Sequence, residues 1–155
     1  MPNTEDGREE SVHLAYFPSA GQITGEVKPS PDSTQSDWTT LRSVRDDVLK
    51  ALEEARNNKL IGTGLEAQVS IAAPEPLHAV LKRNEAQLRY LFIVSSVSLT
   101  QGAGNGTSGI SVEVRKADGQ KCDRCWNYST RVGEDQDYPT VCERCSAVLK
   151  EIEGA

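Results

Sequence analysis

Apolar positions along the chain follow two periods in turn. Trp38, Leu41, Val44, Val48, Leu52 and Ala55 recur at steps of three and four, which places them on one face of a long helix. Ser36 or Asp37 is suited to cap its start, and the helix should fade near Asn57–Asn58 and end before Gly62. Gly62 and Gly64 then open a turn. In "EAQVSIAA", Ala67, Val69 and Ile71 alternate with polar neighbours, the pattern of a half-buried strand. Pro74 and Pro76 break it, and Pro76 suits the first turn of a second helix whose apolar face carries Leu77, Val80, Leu81 and Leu88. "LFIVSSVSL" (Leu91 to Leu99) reads as a mostly buried strand. "QGAGNGTSG" is a flexible loop, and "ISVEV" (Ile110 to Val114) alternates again and should pair with a neighbouring strand. Three strands and two helices make a small α/β layer in which the first helix and the sheet cover each other's apolar faces.

Upstream, residues 1–36 hold too few apolar side chains for a core of their own. "SVHLAYF" (Ser11 to Phe17) can dock on something, Pro18 stops it, and the rest reads as linker, so this stretch looks like the tail of a preceding domain. Downstream, residues 117–155 are read as a separate unit, which leaves residues 37–116 as the α/β domain.

Composition narrows the function classes. The net charge is -6, which argues against a non-specific nucleic-acid coat. The charge is uneven: residues 1–36 are net -4, whereas residues 115–131 carry Arg115, Lys116, Lys121, Arg124 and Arg131 against Asp118 and Asp123. No run reaches the roughly 20 apolar residues of a membrane helix. "MPNTEDGREE" lacks the basic flank and apolar heart of a secretory signal, so a cytoplasmic protein with reduced thiols is expected.

The first pair of the chain's four cysteines lies beside those cations. Cys122-x-x-Cys125 is followed after sixteen residues by Cys142-x-x-Cys145. Two such knuckles at this separation are a zinc-site pattern. A tight turn aims two sulfurs at one point, and a second knuckle, returned by a short hairpin, completes a tetrahedron. Four thiolates leave no open position, so the expected zinc is single and structural. Two disulfides, a redox pair and an iron–sulfur cluster are the alternatives; the reduced compartment and the duplicated motif weigh against the first two. The apolar complement of residues 121–155 is too small to fold alone, and metal binding would supply the folding free energy. Lys121, Arg124 and Arg144 can offset the charge of the thiolates or contact RNA. Trp126 can cover the ribbon core or stack on a base. The fold class is therefore α+β: a small mixed α/β layer (long helix, about three strands, second helix) followed by a four-cysteine zinc ribbon.

Catalytic groups are not evident. There is no Ser/His/Asp order, "GAGNG" leads into a strand rather than into a P-loop lysine, and His13 and His78 read as surface or packing histidines. "KCDRCW" with "CERC" resembles the carboxy-terminal zinc finger of bacterial-type isoleucyl-tRNA synthetases, and a related finger ends formamidopyrimidine-type DNA glycosylases. The upstream half is similar to the synthetases. "ESVHLAYFP" resembles the segment leaving their helical anticodon-binding domain. "WTTLRSVRDDVLKALEEARNNKLIGTGLEAQVSI" resembles their long helix, glycine turn and strand, and "LRYLFIVSSVSL" their next strand. Tyr16-Phe17 departs from the acidic–aromatic pair often found there.

The resemblance implies a carboxy-terminal piece of a synthetase. The signatures His-Ile-Gly-His and Lys-Met-Ser-Lys-Ser are absent, as is an editing domain, so the chain by itself should not activate isoleucine; ATP would enter only through a catalytic domain it lacks. Implied partners are isoleucine-specific tRNA, near the anticodon stem and loop, and the rest of the synthetase, with no membrane and no DNA. Arg115, Lys116, Lys121, Arg124 and Arg131 are the candidates for phosphate contact, with Trp126 for stacking. A freestanding zinc-ribbon adaptor for proteins and a glycosylase end-piece are the competing readings; the helix–strand–helix–strand order speaks against the latter.

Overall fold

The computed structural model describes residues 32–104 and 109–154, together with Ser11, His13, Tyr16, Phe17, Ser19 and Gly21. The docking segment Ser11–Phe17 and its linker lie largely outside the described residues, as do residues 105–108 of the glycine-rich loop. The chain divides into two units, Met1–Gln35 and Ser36–Ala155. In the first, Tyr16 and Phe17 are exposed.

Helix α1 runs Asp32–Asn57. Leu41, Val44, Val48, Leu52 and Ala55 are all buried, as their spacing predicts; Trp38, assigned to the same face, is half exposed. The helix also begins before the expected cap. Asp37 is not free to cap it, because its carboxylate accepts two hydrogen bonds from Arg83 Nη2 and one from Asn84 Nδ2. The Arg83 guanidinium, more than any other contact, holds that carboxyl below the usual carboxylate range.

A turn of 3-10 helix, Gly64–Glu66, leads into β1 (Ala67–Ala73), whose alternate residues Ala67, Val69, Ile71 and Ala73 are fully buried. Strand β1 is central: β2 (Ser96–Gln101) lies parallel on one side and β3 (Ser111–Lys116) antiparallel on the other. The register aligns Val97, Val69 and Val114 in one row and Leu99, Ile71 and Val112 in the next. These rows pack with the apolar face of α1 in one core. Each fully buried aliphatic side chain contributes about 1.5–3 kcal/mol.

Two differences from the sequence expectation concern the crossover from β1 to β2. The second helix is divided into α2 (Leu77–Arg83) and α3 (Glu85–Phe92). Asn84 makes the break, with its side-chain amide turned back onto Val80 O at 2.9 Å. The stretch from Leu91 is not strand at its start. Leu88 and Phe92, four apart, bury one more helical turn, and Ile93 then reverses the chain in the left-handed region at φ 58. The strand begins only at Ser96. A third difference is an additional helix, α4 (Glu143–Glu153).

Ser95 lies at the end of that reversal and is buried. Its hydroxyl donates to Leu65 O and accepts the N–H of Tyr128 at 2.7 Å, while its own N–H donates to Ala67 O at 3.1 Å. One side chain thus satisfies a carbonyl of the layer and an amide of the cysteine lobe. Ser95→Ala leaves both unpartnered. It is expected to lower stability by about 1–3 kcal/mol, the cost of stranding buried polar groups, read as a lower urea midpoint with an unchanged slope.

Candidate metal centre

The lobe opens on a short hairpin, β4 (Gln120–Lys121) with β5 (Tyr128–Ser129). Gly119 precedes it at φ 87, and a Cβ there would stand 2.3 Å from the Ser129 backbone, so only glycine fits. The hairpin brackets the first knuckle rather than returning the second. Cys122 N–H bonds to Asn127 O at 2.9 Å and Trp126 N–H to Cys122 O at 2.8 Å, which closes the turn that aims Cys122 and Cys125 inward. The second knuckle is built differently. Cys142 is the N-cap of α4 and Cys145 sits in its first turn. Asp123 N–H, bonded to Thr140 O at 3.1 Å, ties the two knuckles together.

The four Sγ atoms lie within 4.8 Å of one another, and Cys122, Cys142 and Cys145 are buried. All four are free thiols. Cys125 Sγ and Cys142 Sγ are 3.7 Å apart. That is far beyond the roughly 2.05 Å of a disulfide. It matches the edge, about 3.8 Å, of a tetrahedron with metal–sulfur bonds of about 2.3 Å.

Electrostatics favour a cation at the centre. Burial opposes charge on Cys122, yet amide donors from Cys125, Cys142 and Arg124 outweigh it and lower the thiol. Burial also works against Cys125, but the side chain and N–H of Asn127, with Cys122 and Arg144, bring it down to about 6. Burial and the neighbouring thiols push Cys142 up to about 12. Cys125 and Cys142 are thus driven in opposite directions. A divalent cation among them removes that conflict. The donor set and its separations fit one structural zinc with four protein ligands, and Cys122, Cys125, Cys142 and Cys145 are the residues able to hold it.

Guanidinium groups surround this charge. Arg124 Nη1 is 3.9 Å from Cys145 Sγ. Arg144 interacts with Cys125 and, at 3.2 Å, with the Tyr90 hydroxyl of α3; both hold its proton more tightly. The remaining cations predicted from sequence are distributed around the lobe. Lys121 Nζ stands 5.1 Å from the Trp126 ring centroid. Trp126 does not cover the lobe core: it is 59% exposed. Arg115 pairs with Glu113 at 2.8 Å and Arg131 with Glu134 at 2.6 Å, both at the surface, where such pairs contribute about 0–1 kcal/mol and exchange readily. Lys116 ends β3 and is exposed. His78 pairs with Glu75, away from the sulfurs. The contact of Arg144 with Tyr90 spans 54 positions and carries no periodic signal in the sequence.

Residues 119–148 match the family model described as the zinc finger found in FPG and IleRS. Over 150 residues, 92% of the chain, it is 41% identical to an isoleucine–tRNA ligase of Geobacter sulfurreducens. It is 50% identical over 116 residues to that of Gloeobacter violaceus, and 35% identical over 158 residues to that of Geobacillus thermodenitrificans. The chain spans 16%, 12% and 16% of those three relatives. The similarity covers nearly the whole chain and corresponds to a small carboxy-terminal part of the ligases.

Metal analysis of the purified chain is expected to find about one zinc per molecule, and a strong chelator to collapse the amide NMR signals of residues 117–154 while those of α1 to β3 persist. Cys142→Ser should reproduce the collapse. Iron with visible absorbance, or a lobe spectrum indifferent to both treatments, is the contrary result.

Proposed function

We propose that this chain is the carboxy-terminal tRNA-binding part of an isoleucine–tRNA ligase. Residues 37–116 form the α/β domain that carries the finger of residues 117–155, and residues 1–36 lead in from the helical anticodon-binding domain. The observation that carries this reading is the 41% identity over 92% of the chain to a ligase of which the chain spans 16%. ATP-dependent aminoacylation belongs to the rest of the parent enzyme, in the cytoplasm, where the four thiols stay reduced and free for zinc.

The lobe's chemistry supports an RNA contact, and the resemblance to the ligases implies that it falls near the anticodon stem and loop. Trp126 sits at φ 64, a left-handed conformation that is strained for a bulky residue, and presents its indole to solvent. An exposed aromatic ring with an ammonium against it offers a stacking face for a splayed base and a charge for the adjoining phosphate. Arg124 and Lys116 add charge, and Arg115 and Arg131 can leave their surface partners for a phosphate at little cost.

Binding of tRNA with the isoleucine anticodon is expected to weaken with salt, and Trp126→Gly to weaken it roughly tenfold, the loss of one stacked base. The same change should leave lobe stability within about 1 kcal/mol, because glycine relieves the left-handed strain while loosening the unfolded chain. Supplied in trans to a synthetase truncated before this region, the chain should restore charging. Indifference to any RNA would favour a protein-binding adaptor instead.

A further inference from the structure

The cleft between the α/β layer and the cysteine lobe borders the zinc ligands Cys125 and Cys142, but its arginine-lined side has no role in the reading above. Its volume is about 320 Å³, at the small end of ligand-sized clefts, which run about 300–1,000 Å³. Arg89 of α3 and Arg144 of α4 line it, and both donate to the hydroxyl of Tyr90, at 2.7 and 3.2 Å. Both guanidinium carbons also stand over the Tyr90 ring, 4.7 and 5.8 Å from its centroid. Two like charges are thus held on one neutral phenol. Among the described residues, neither guanidinium has a carboxylate within salt-bridge distance, whereas Arg56, Arg83, Arg115 and Arg131 each have one.

We propose that Arg89 and Arg144, aligned by Tyr90, form a phosphate clamp that holds one phosphodiester of an RNA strand crossing the layer–lobe junction. The proposal rests on the RNA-binding reading above and adds a contact point to it. Each guanidinium carries five N–H donors in a planar fork. One donor of each goes to Tyr90 and a further one of Arg144 to Cys125, which leaves donors on both groups for a phosphate to engage. Stacking on the ring orders both side chains beforehand, so less conformational freedom is lost on binding. Asp118 and Glu143 also line the cleft, and the Glu143 carboxylate accepts a hydrogen bond from Ser129 at 2.9 Å. Those charges disfavour a second phosphate in the cleft, so the clamp is assigned one phosphodiester. The two arginines also lower the Tyr90 phenol, Arg89 more than Arg144, in keeping with a positive local potential.

The test uses the full chain with zinc bound and a fluorescently labelled RNA hairpin carrying the isoleucine anticodon loop, followed by anisotropy against salt concentration. Arg89→Gln is far in sequence from the sulfurs and should keep the zinc content and circular dichroism of the unaltered chain. It is expected to weaken binding roughly tenfold and to reduce the salt slope by about one phosphate contact. Tyr90→Phe, which removes only the aligning hydroxyl, should weaken binding less and leave the slope unchanged. Arg144→Gln serves as a second variant where its zinc content is intact. Unaltered affinity and slope in both Arg89→Gln and Arg144→Gln, with Trp126→Gly still impaired, overturns the clamp and leaves the RNA-binding reading standing. Failure of the unaltered chain to bind the hairpin overturns both.

Discussion

The cysteine lobe depends on a core made of its own sulfurs. Its buried cluster is Cys122, Val141, Cys142 and Cys145, with Cys125, Val132, Tyr138 and Leu149 partly buried around it. Val148 and Ile152, which could have added apolar bulk, face solvent. Hydrophobic burial on this scale cannot offset the backbone entropy of ordering the lobe, which costs about 1–2 kcal/mol per residue. Burial and the neighbouring thiols also oppose ionisation of Cys142. Coordination of a metal, contributing of order 10 kcal/mol at such sites, reverses both terms. The hairpin, the start of α4 and the placement of Arg124 and Arg144 all follow from where the sulfurs must converge.

That dependence extends beyond the lobe. The α/β layer has an ordinary apolar core and does not need the metal to fold. What it shares with the lobe is polar: the Ser95 hydroxyl against Tyr128 N–H, and Arg144 against the Tyr90 hydroxyl. Hydrogen bonds are directional in a way that apolar contact is not. Arg144 lies next to Cys145 and contacts both Cys125 and the Tyr90 hydroxyl, so one side chain links the knuckles to α3.

Local periodicity made the layer and the metal ligands legible in the sequence. The buried face of α1 follows from spacing alone, as does the alternation of β1, because both patterns are repeated enough to outweigh single exceptions such as Trp38. The cysteines are legible because metal geometry constrains their spacing directly. What could not be read are positions where tertiary contact decides. Ile93 is β-branched and a poor choice for a left-handed residue, so nothing in Leu91–Ser95 announces a helix end. Asp37 resembles a cap by residue type, but Arg83, 46 positions away, claims it. Helix α4 was hidden because its first turn is occupied by Cys142 and Cys145, whose pattern reads as a knuckle and not as an amphipathic face. The Arg89–Tyr90–Arg144 cluster joins side chains from two helices and has no sequence signature.

Trp126 brings the stability and functional arguments together. A left-handed backbone costs a bulky L-residue about 1–2 kcal/mol, and glycine would occupy the same turn without strain. The exposed indole recovers little of that by burial. A lobe held by apolar packing alone, with so small a core, could not bear the penalty; one held by a metal can, since the strain is a small fraction of the coordination free energy. The chain as a whole is acidic, so a nucleic acid would be repelled from most of its surface. Lys121, Arg124, Arg144 and Arg89 lie in the lobe and at its junction with the layer, a local group of cations within a lobe that also carries eight acidic residues. On the proposed reading, the metal makes a small, otherwise unstable lobe rigid enough to hold a strained aromatic ring outward beside those cations.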